Sequence, residues 1–165
     1  MAQQTSTTKF QSIPFLISLL ITLSIGFVAS IFTRPEIEGW YRTLKKPTFT
    51  PPDLAFPIAW TILYILIATS AYLVWKKRDK TQAFKTAAII YFLQLFFNFW
   101  WSIIFFGLHQ MLFALIVIIS LLVLIILNIS WFNRFRKSAA YLLVPYLLWV
   151  SFAALLNLSI FIFNK

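Results

Sequence analysis

Met111-Leu112-Phe113-Ala114-Leu115-Ile116-Val117-Ile118-Ile119-Ser120-Leu121-Leu122-Val123-Leu124-Ile125-Ile126-Leu127-Asn128-Ile129-Ser130-Trp131-Phe132 runs without a single charged side chain. As a helix rising ~1.5 Å per residue, this stretch covers about 30 Å, the thickness of a bilayer's hydrocarbon core. No water is present there to satisfy backbone N–H and C=O groups, so the segment must pair them within itself, which selects helix. Four other apolar runs of about 20 residues invite the same reading. The predicted spans are then 13–32, 56–75, 84–106, 111–132 and 139–161. Only a few residues separate the third from the fourth, which makes those two antiparallel neighbours. The sequence therefore predicts an all-α polytopic membrane protein, a bundle of five transmembrane helices. Residues 1–165 read as one transmembrane domain with no appended soluble domain.

Composition points the same way, with 61% hydrophobic and 11% charged residues and a mean hydropathy of +0.87, far from the soluble range. The net charge of +10 does not indicate nucleic acid, because the basic residues flank the apolar runs and form no separate basic module. The lipid bilayer is the expected partner. Lys and Arg accumulate on the cytoplasmic side of short loops. Lys9, the second loop (Lys76, Lys77, Arg78, Lys80, Lys85) and the fourth loop (Arg134, Arg136, Lys137) hold nine basic residues; the other side holds five, Arg34, Arg42, Lys45, Lys46 and Lys165. This puts the N-terminus inside and the first loop outside, as expected for a multi-pass protein of a bacterial cytoplasmic membrane. The first span is too long for a signal-peptide core and is preceded by Lys9 alone, so it reads as a retained helix.

The absence of cysteine excludes disulfides, thiolate metal sites and Cys nucleophiles. Apart from Lys85 at the very start of the third, no Asp, Glu, Lys or Arg falls inside the five predicted spans, which argues against an ion-driven transporter. The four acids, Glu36, Glu38, Asp53 and Asp79, are expected in loops, leaving no acid, base or metal constellation in the membrane. His109, the single histidine, is expected to be a solvated interfacial residue rather than a haem ligand.

What the spans do carry is aromatic and amide side chains at helical spacing. Advanced at ~100° per residue, Tyr91, Gln94, Asn98, Trp101, Ser102 and Phe105 share one face of the third helix. Pro57, Trp60, Tyr64, Ala68, Ala71 and Trp75 share one of the second, and Tyr146, Trp149, Ala153 and Asn157 one of the fifth. Such faces suit interhelical packing, where small residues permit close approach and amides hydrogen-bond. They equally suit a pocket for a flat apolar ligand, since indoles and phenols offer π faces while an amide fixes orientation. On the pocket reading, Asn98 and Trp101 face one void together with Trp60, Tyr64 and Trp149. The loop 33–55 supports it: Pro47, Pro51 and Pro52 stiffen the backbone into a lid, and Arg42, Lys45 and Lys46 place positive charge at the mouth for a ligand's carboxylates.

The ordered motifs Trp40-Tyr41 through Leu44, Lys46-Pro47, Thr50-Pro51-Pro52, then Pro57, Trp60 and Tyr64, resemble the translocator protein or tryptophan-rich sensory protein family, formerly the peripheral benzodiazepine receptors. The resemblance continues through Tyr72 to Lys76, Gln94, Asn98 and Trp101, Phe105-Phe106-Gly107, Gln110-Met111, Pro145-Tyr146-Leu147, Trp149 and Asn157, nearly the whole chain. It implies a five-helix bundle with a cavity capped by the first loop. It implies a porphyrin or haem as ligand, with no obligatory cofactor, and a homodimer, a form that members often take. Carried over, the cavity is lined by Trp60, Tyr64, Asn98, Trp101, Trp149 and Ala153 under Pro47, Phe49 and Pro51, with Gln94 and Tyr146 beside it.

Some positions depart from the family pattern. Phe49 stands where a tryptophan is usual, and some members degrade porphyrins in light through reactive tryptophans. A phenyl ring is less easily oxidised than an indole, so the enzymatic alternative is weakened and the chain reads as a receptor, sensor or carrier. Leu158 and Ile162 occupy the places of the tyrosine and base in the family's C-terminal sterol pattern, which disfavours specific sterol binding there. A ligand-free structural or regulatory subunit is the remaining rival.

Overall fold

A computed structural model describes residues 10–78 and 81–165; Lys9 and Lys80, counted above in the charge balance, and Asp79 lie outside the described residues. The helices are α1 (Ser12–Glu38), α2 (Trp40–Thr43), α3 (Ala55–Trp75), α4 (Gln82–Ser102), α5 (Met111–Phe135), α6 (Lys137–Leu142) and α7 (Val144–Asn164), with a π-helical segment, Ile103–Gly107, continuing α4. No strand occurs among the described residues. Five stretches are long and apolar enough to cross a membrane: α1, α3, α4 with its π segment, α5, and α6 with α7.

The helix ends follow local chemistry. Thr81 caps α4 by accepting the Phe84 N–H at 3.3 Å. Pro52 starts α3 by offering its carbonyl to Ala55 N–H at 2.9 Å. At the far ends of α3 and α5, cations lie over indoles, Arg78 3.8 Å above Trp75 and Arg134 4.2 Å above Trp131. These pairs form an aromatic and basic belt where the chain leaves the apolar layer.

The helices close in the order α1, α3, α6 with α7, α5, α4 and back to α1. Serine hydroxyls tie the helices together: the half-buried Ser18 donates to the Ala68 carbonyl at 2.8 Å and the buried Ser70 to that of Ala139 at 2.7 Å. The core is fully buried aliphatic surface on α3, α5 and α7, including Ile67, Ile118, Leu121, Ile125, Val150 and Ile160.

Two predicted boundaries are corrected. The first span does not stop at Phe32; α1 continues through Pro35 to Glu38, and Gly39 N–H closes on the Pro35 carbonyl at 3.0 Å. Hydropathy marks where lipid contact ends, whereas helical hydrogen bonding runs on into the interface. Glu36 and Glu38 therefore sit on a helix and not in a loop, and the expected 33–55 lid shortens to residues 39–54 containing α2. The last span is divided at Leu143, because Pro145 has no N–H to give the Tyr141 carbonyl.

Candidate functional site

Toward their far ends, α1 and α3 touch closely. Thr22 Oγ1 donates to the Tyr64 carbonyl at 3.1 Å, and Gly26 lies so near the Tyr64 ring that a Cβ there would overlap it. Toward the loop the two helices part, leaving a cavity of about 840 Å³ between α1, α3 and α4. Its floor is Gly26 and Tyr64, its inner wall Trp60, Asn98, Trp101 and Phe106, and its charged upper end Arg34, Glu38, Arg42 and Asp53.

The inner wall is held by hydrogen bonds that link three helices. Tyr64 donates its phenol to Asn98 Oδ1 at 2.7 Å, Asn98 Nδ2 donates to the Tyr146 oxygen at 3.2 Å, and Tyr146 donates to Gln94 Oε1 at 2.9 Å. All four side chains are buried. Trp101 Nε1 donates to Asn157 Oδ1 at 3.3 Å, and Asn157 Nδ2 caps the Met111 carbonyl at 3.0 Å. The Trp60 and Trp101 indoles are set at 6.2 Å between centroids, tilted by 38°, and both line the void.

Of the residues singled out in the sequence, Trp60, Tyr64, Asn98, Trp101 and Arg42 line this cavity. Gln94 and Tyr146 stand behind Asn98 as its hydrogen-bonded support. Trp149 does not join the void: the Phe56 ring packs against it at 6.1 Å, and Phe56 is the residue on the lining. Ala153 is likewise buried on α7 away from the lining. Pro47, Phe49 and Pro51 are off the lining too, with Phe49 half exposed and set 6.2 Å from Phe152 of α7. Lys45 and Lys46 are also outside the lining. The Lys45 backbone pairs with the Asn164 amide (N–H to Oδ1 2.9 Å, Nδ2 to O 2.8 Å), and Lys46 Nζ donates to the Tyr41 carbonyl at 2.9 Å.

Two contributions escaped the sequence reading. One is the α1 wall, Gly26, Ala29, Ser30, Thr33, Arg34 and Ile37. Its signal was present as small residues at three- and four-residue spacing, the pattern of close helix approach. The other is Phe106, which lines the cavity where helical periodicity selects Phe105. The wider π turn after Ser102 shifts the register, so Phe105 instead stacks on Trp101 at 6.1 Å and meets Trp40 at 5.7 Å.

The charged end is structured rather than diffuse. Arg42 pairs with Asp53 at 3.5 Å. His109, expected to be a solvated interfacial residue, is exposed, and it also pairs its Nε2 with Glu36 at 2.9 Å and stacks on Trp40 at 4.2 Å. The Tyr41 phenol is pushed up to about 12, first by burial and then by the nearby Asp53 carboxylate. No cluster of His, Cys, Asp or Glu able to hold a metal occurs among the described residues. The lining offers aromatic rings, one amide, two guanidinium groups and two carboxylates.

Over residues 18–163 the sequence matches the TspO/MBR family. It is 42% identical over 147 residues to the tryptophan-rich protein TspO of Archaeoglobus fulgidus, covering 89% of this chain and 94% of that one. The protein of the same name from Chlorobaculum tepidum is 40% identical over 148 residues, covering 87% and 91%. The translocator protein of Homo sapiens is 35% identical over 140 residues, covering 81% and 80%.

Proposed function

This chain belongs to the TspO/MBR family of membrane proteins, and from that premise we propose that it is a receptor, sensor or carrier for a flat hydrophobic ligand of the porphyrin class, held between α1, α3 and α4. The observation that carries this reading is the cavity of about 840 Å³ with Trp60 and Trp101 on one wall and Arg34 and Arg42 at its charged end. That volume lies within the roughly 300–1,000 Å³ typical of small-molecule sites. A tetrapyrrole would lay its ring on the indoles, accept from or donate to the Asn98 amide, and turn its carboxylates to the guanidinium groups.

The test is a titration of purified protein with protoporphyrin, followed by tryptophan quenching. Saturable binding is expected. Trp101→Ala should weaken it at every salt concentration, because stacking area is lost. Arg34→Gln with Arg42→Gln should weaken it chiefly at low salt, because exposed charges are screened as ionic strength rises. Lys45 and Lys46 lie off the lining, so their Gln variants should matter less than the arginine pair. Quenching that never saturates, or that is indifferent to Trp101→Ala, would leave the chain without this ligand.

A further inference from the structure

The cavity reaches the surface at the upper end, where the sequence placed its mouth and where Arg34, Glu38, Arg42 and Asp53 are exposed, and also on a side that the sequence reading did not consider. The loop is fastened toward α7 by the paired Lys45 and Asn164 groups at 2.9 and 2.8 Å, and its Pro47 is buried. Arg42 and Asp53 pair across the upper end. Along the seam between α1 and α3 the lining residues reach the surface as well. Phe27 is 69% exposed, and Ser30 on α1 with Pro57 and Thr61 on α3 are exposed as well.

These rim residues lie in stretches apolar enough to be surrounded by lipid. The hydroxyls among them are already satisfied, Ser30 by the Phe27 carbonyl at 2.7 Å and Thr61 by that of Pro57 at 2.8 Å. The rim therefore presents no free hydrogen-bonding group to an apolar molecule sliding past it. On α1 the cleft runs from Leu23 up to Glu38, about 22 Å along a helix at ~1.5 Å per residue. That length is close to one leaflet with its interfacial region, half of a bilayer about 40–45 Å thick. Below Leu23 the seam is sealed by the Thr22 and Ser18 hydrogen bonds.

We propose that the cavity is loaded sideways, through the seam between α1 and α3, by a ligand dissolved in the loop-side leaflet, with its polar edge at the charged upper end and its apolar body passing Phe27 and Thr61. This rests on the ligand reading above but concerns the route and the phase from which the ligand comes. A membrane-dissolved amphiphile fits this opening because the rim is apolar and the charge is confined to the interfacial end.

The absence of cysteine makes the test clean. Phe27→Cys with Thr61→Cys, purified, reconstituted in vesicles and bridged by a short bis-maleimide, should take up protoporphyrin at least tenfold more slowly than the same protein before bridging. Bridging after loading should slow release to a similar extent. An uptake rate unchanged by a bridge verified by mass would overturn the lateral route while leaving saturable binding intact. A second measurement needs no porphyrin. In vesicles of phosphatidylcholine brominated on its acyl chains, Trp60 should be quenched through the seam, seen as quenching that Trp60→Phe removes. Absence of that component would show the seam closed to lipid and overturn the proposal, whereas its presence with no saturable porphyrin binding would keep the opening and discard the ligand.

Discussion

Tyr64 is held from both ends, its phenol by Asn98 at 2.7 Å and its ring by the bare Cα of Gly26. Because the hydroxyl is committed, the ring cannot swing aside to admit a side chain at position 26 without breaking the link to α4. Gly26→Leu should therefore force α1 outward or push the ring into the cavity. The expected result is at least a tenfold loss in protoporphyrin affinity with a stability cost of about 1–3 kcal/mol, the usual penalty of overpacking; wild-type affinity in a folded variant would show that Gly26 does not set the floor. Tyr41 makes a different prediction. Its neutral phenol is the form the fold keeps, so stability is unaffected below the ordinary tyrosine value of 10.0 and falls as pH climbs from there toward about 12, because the unfolded chain ionises first. Thermal midpoints measured from pH 8 upward should decline less steeply above pH 10 in Tyr41→Phe than in the wild type. Identical slopes would mean that this phenol contributes nothing to alkaline unfolding.

Among the elements, α4 was the most legible, because its buried polar residues Gln94, Asn98 and Trp101 recur at the helical period and all turn inward. Amides in a lipid-embedded helix are driven to partners on other helices, so period and chemistry agree on one face. Where that agreement ends, legibility ends too. The π turn at Ile103–Gly107 breaks the constant angle on which any face assignment depends, and it exchanges Phe105 for Phe106 at the cavity. Trp149 has the same angular phase as Tyr146 on α7, but only the structure shows Phe56 standing in front of it. The α1 wall was overlooked because small residues advertise proximity to a neighbour without saying whether helix or void lies there. The network through Asn98 can be weighed directly. Asn98→Leu removes the acceptor of Tyr64 and the donor to Tyr146, and interhelical hydrogen bonds in membranes are worth roughly 0.6 kcal/mol each, up to about 1.7. A loss of about 1–2 kcal/mol in unfolding from detergent micelles is expected, and no loss would mean that the two phenols find other partners.

At the scale of the molecule, the cavity sits entirely toward one end of the bundle, that of α2 and the pinned loop. The cations that stack on indoles, Arg78 and Arg134, mark the opposite end. Which end faces the cytoplasm decides whether the proposed ligand would be collected from the inner or the outer leaflet. Arginines and lysines concentrate at the belt end, the pattern that the membrane-insertion machinery retains inside. We propose on this basis that the N-terminus is cytoplasmic and that the cavity opens to the outer leaflet. Because the chain has no cysteine, single substitutions give labels without background. Thr48→Cys in the exposed loop should react with a membrane-impermeant maleimide added to intact cells, and Lys77→Cys should react only after the cells are opened; both positions are exposed. The reverse pattern would turn the molecule over and assign the ligand to the inner leaflet, while leaving the helix packing and the seam between α1 and α3 unchanged.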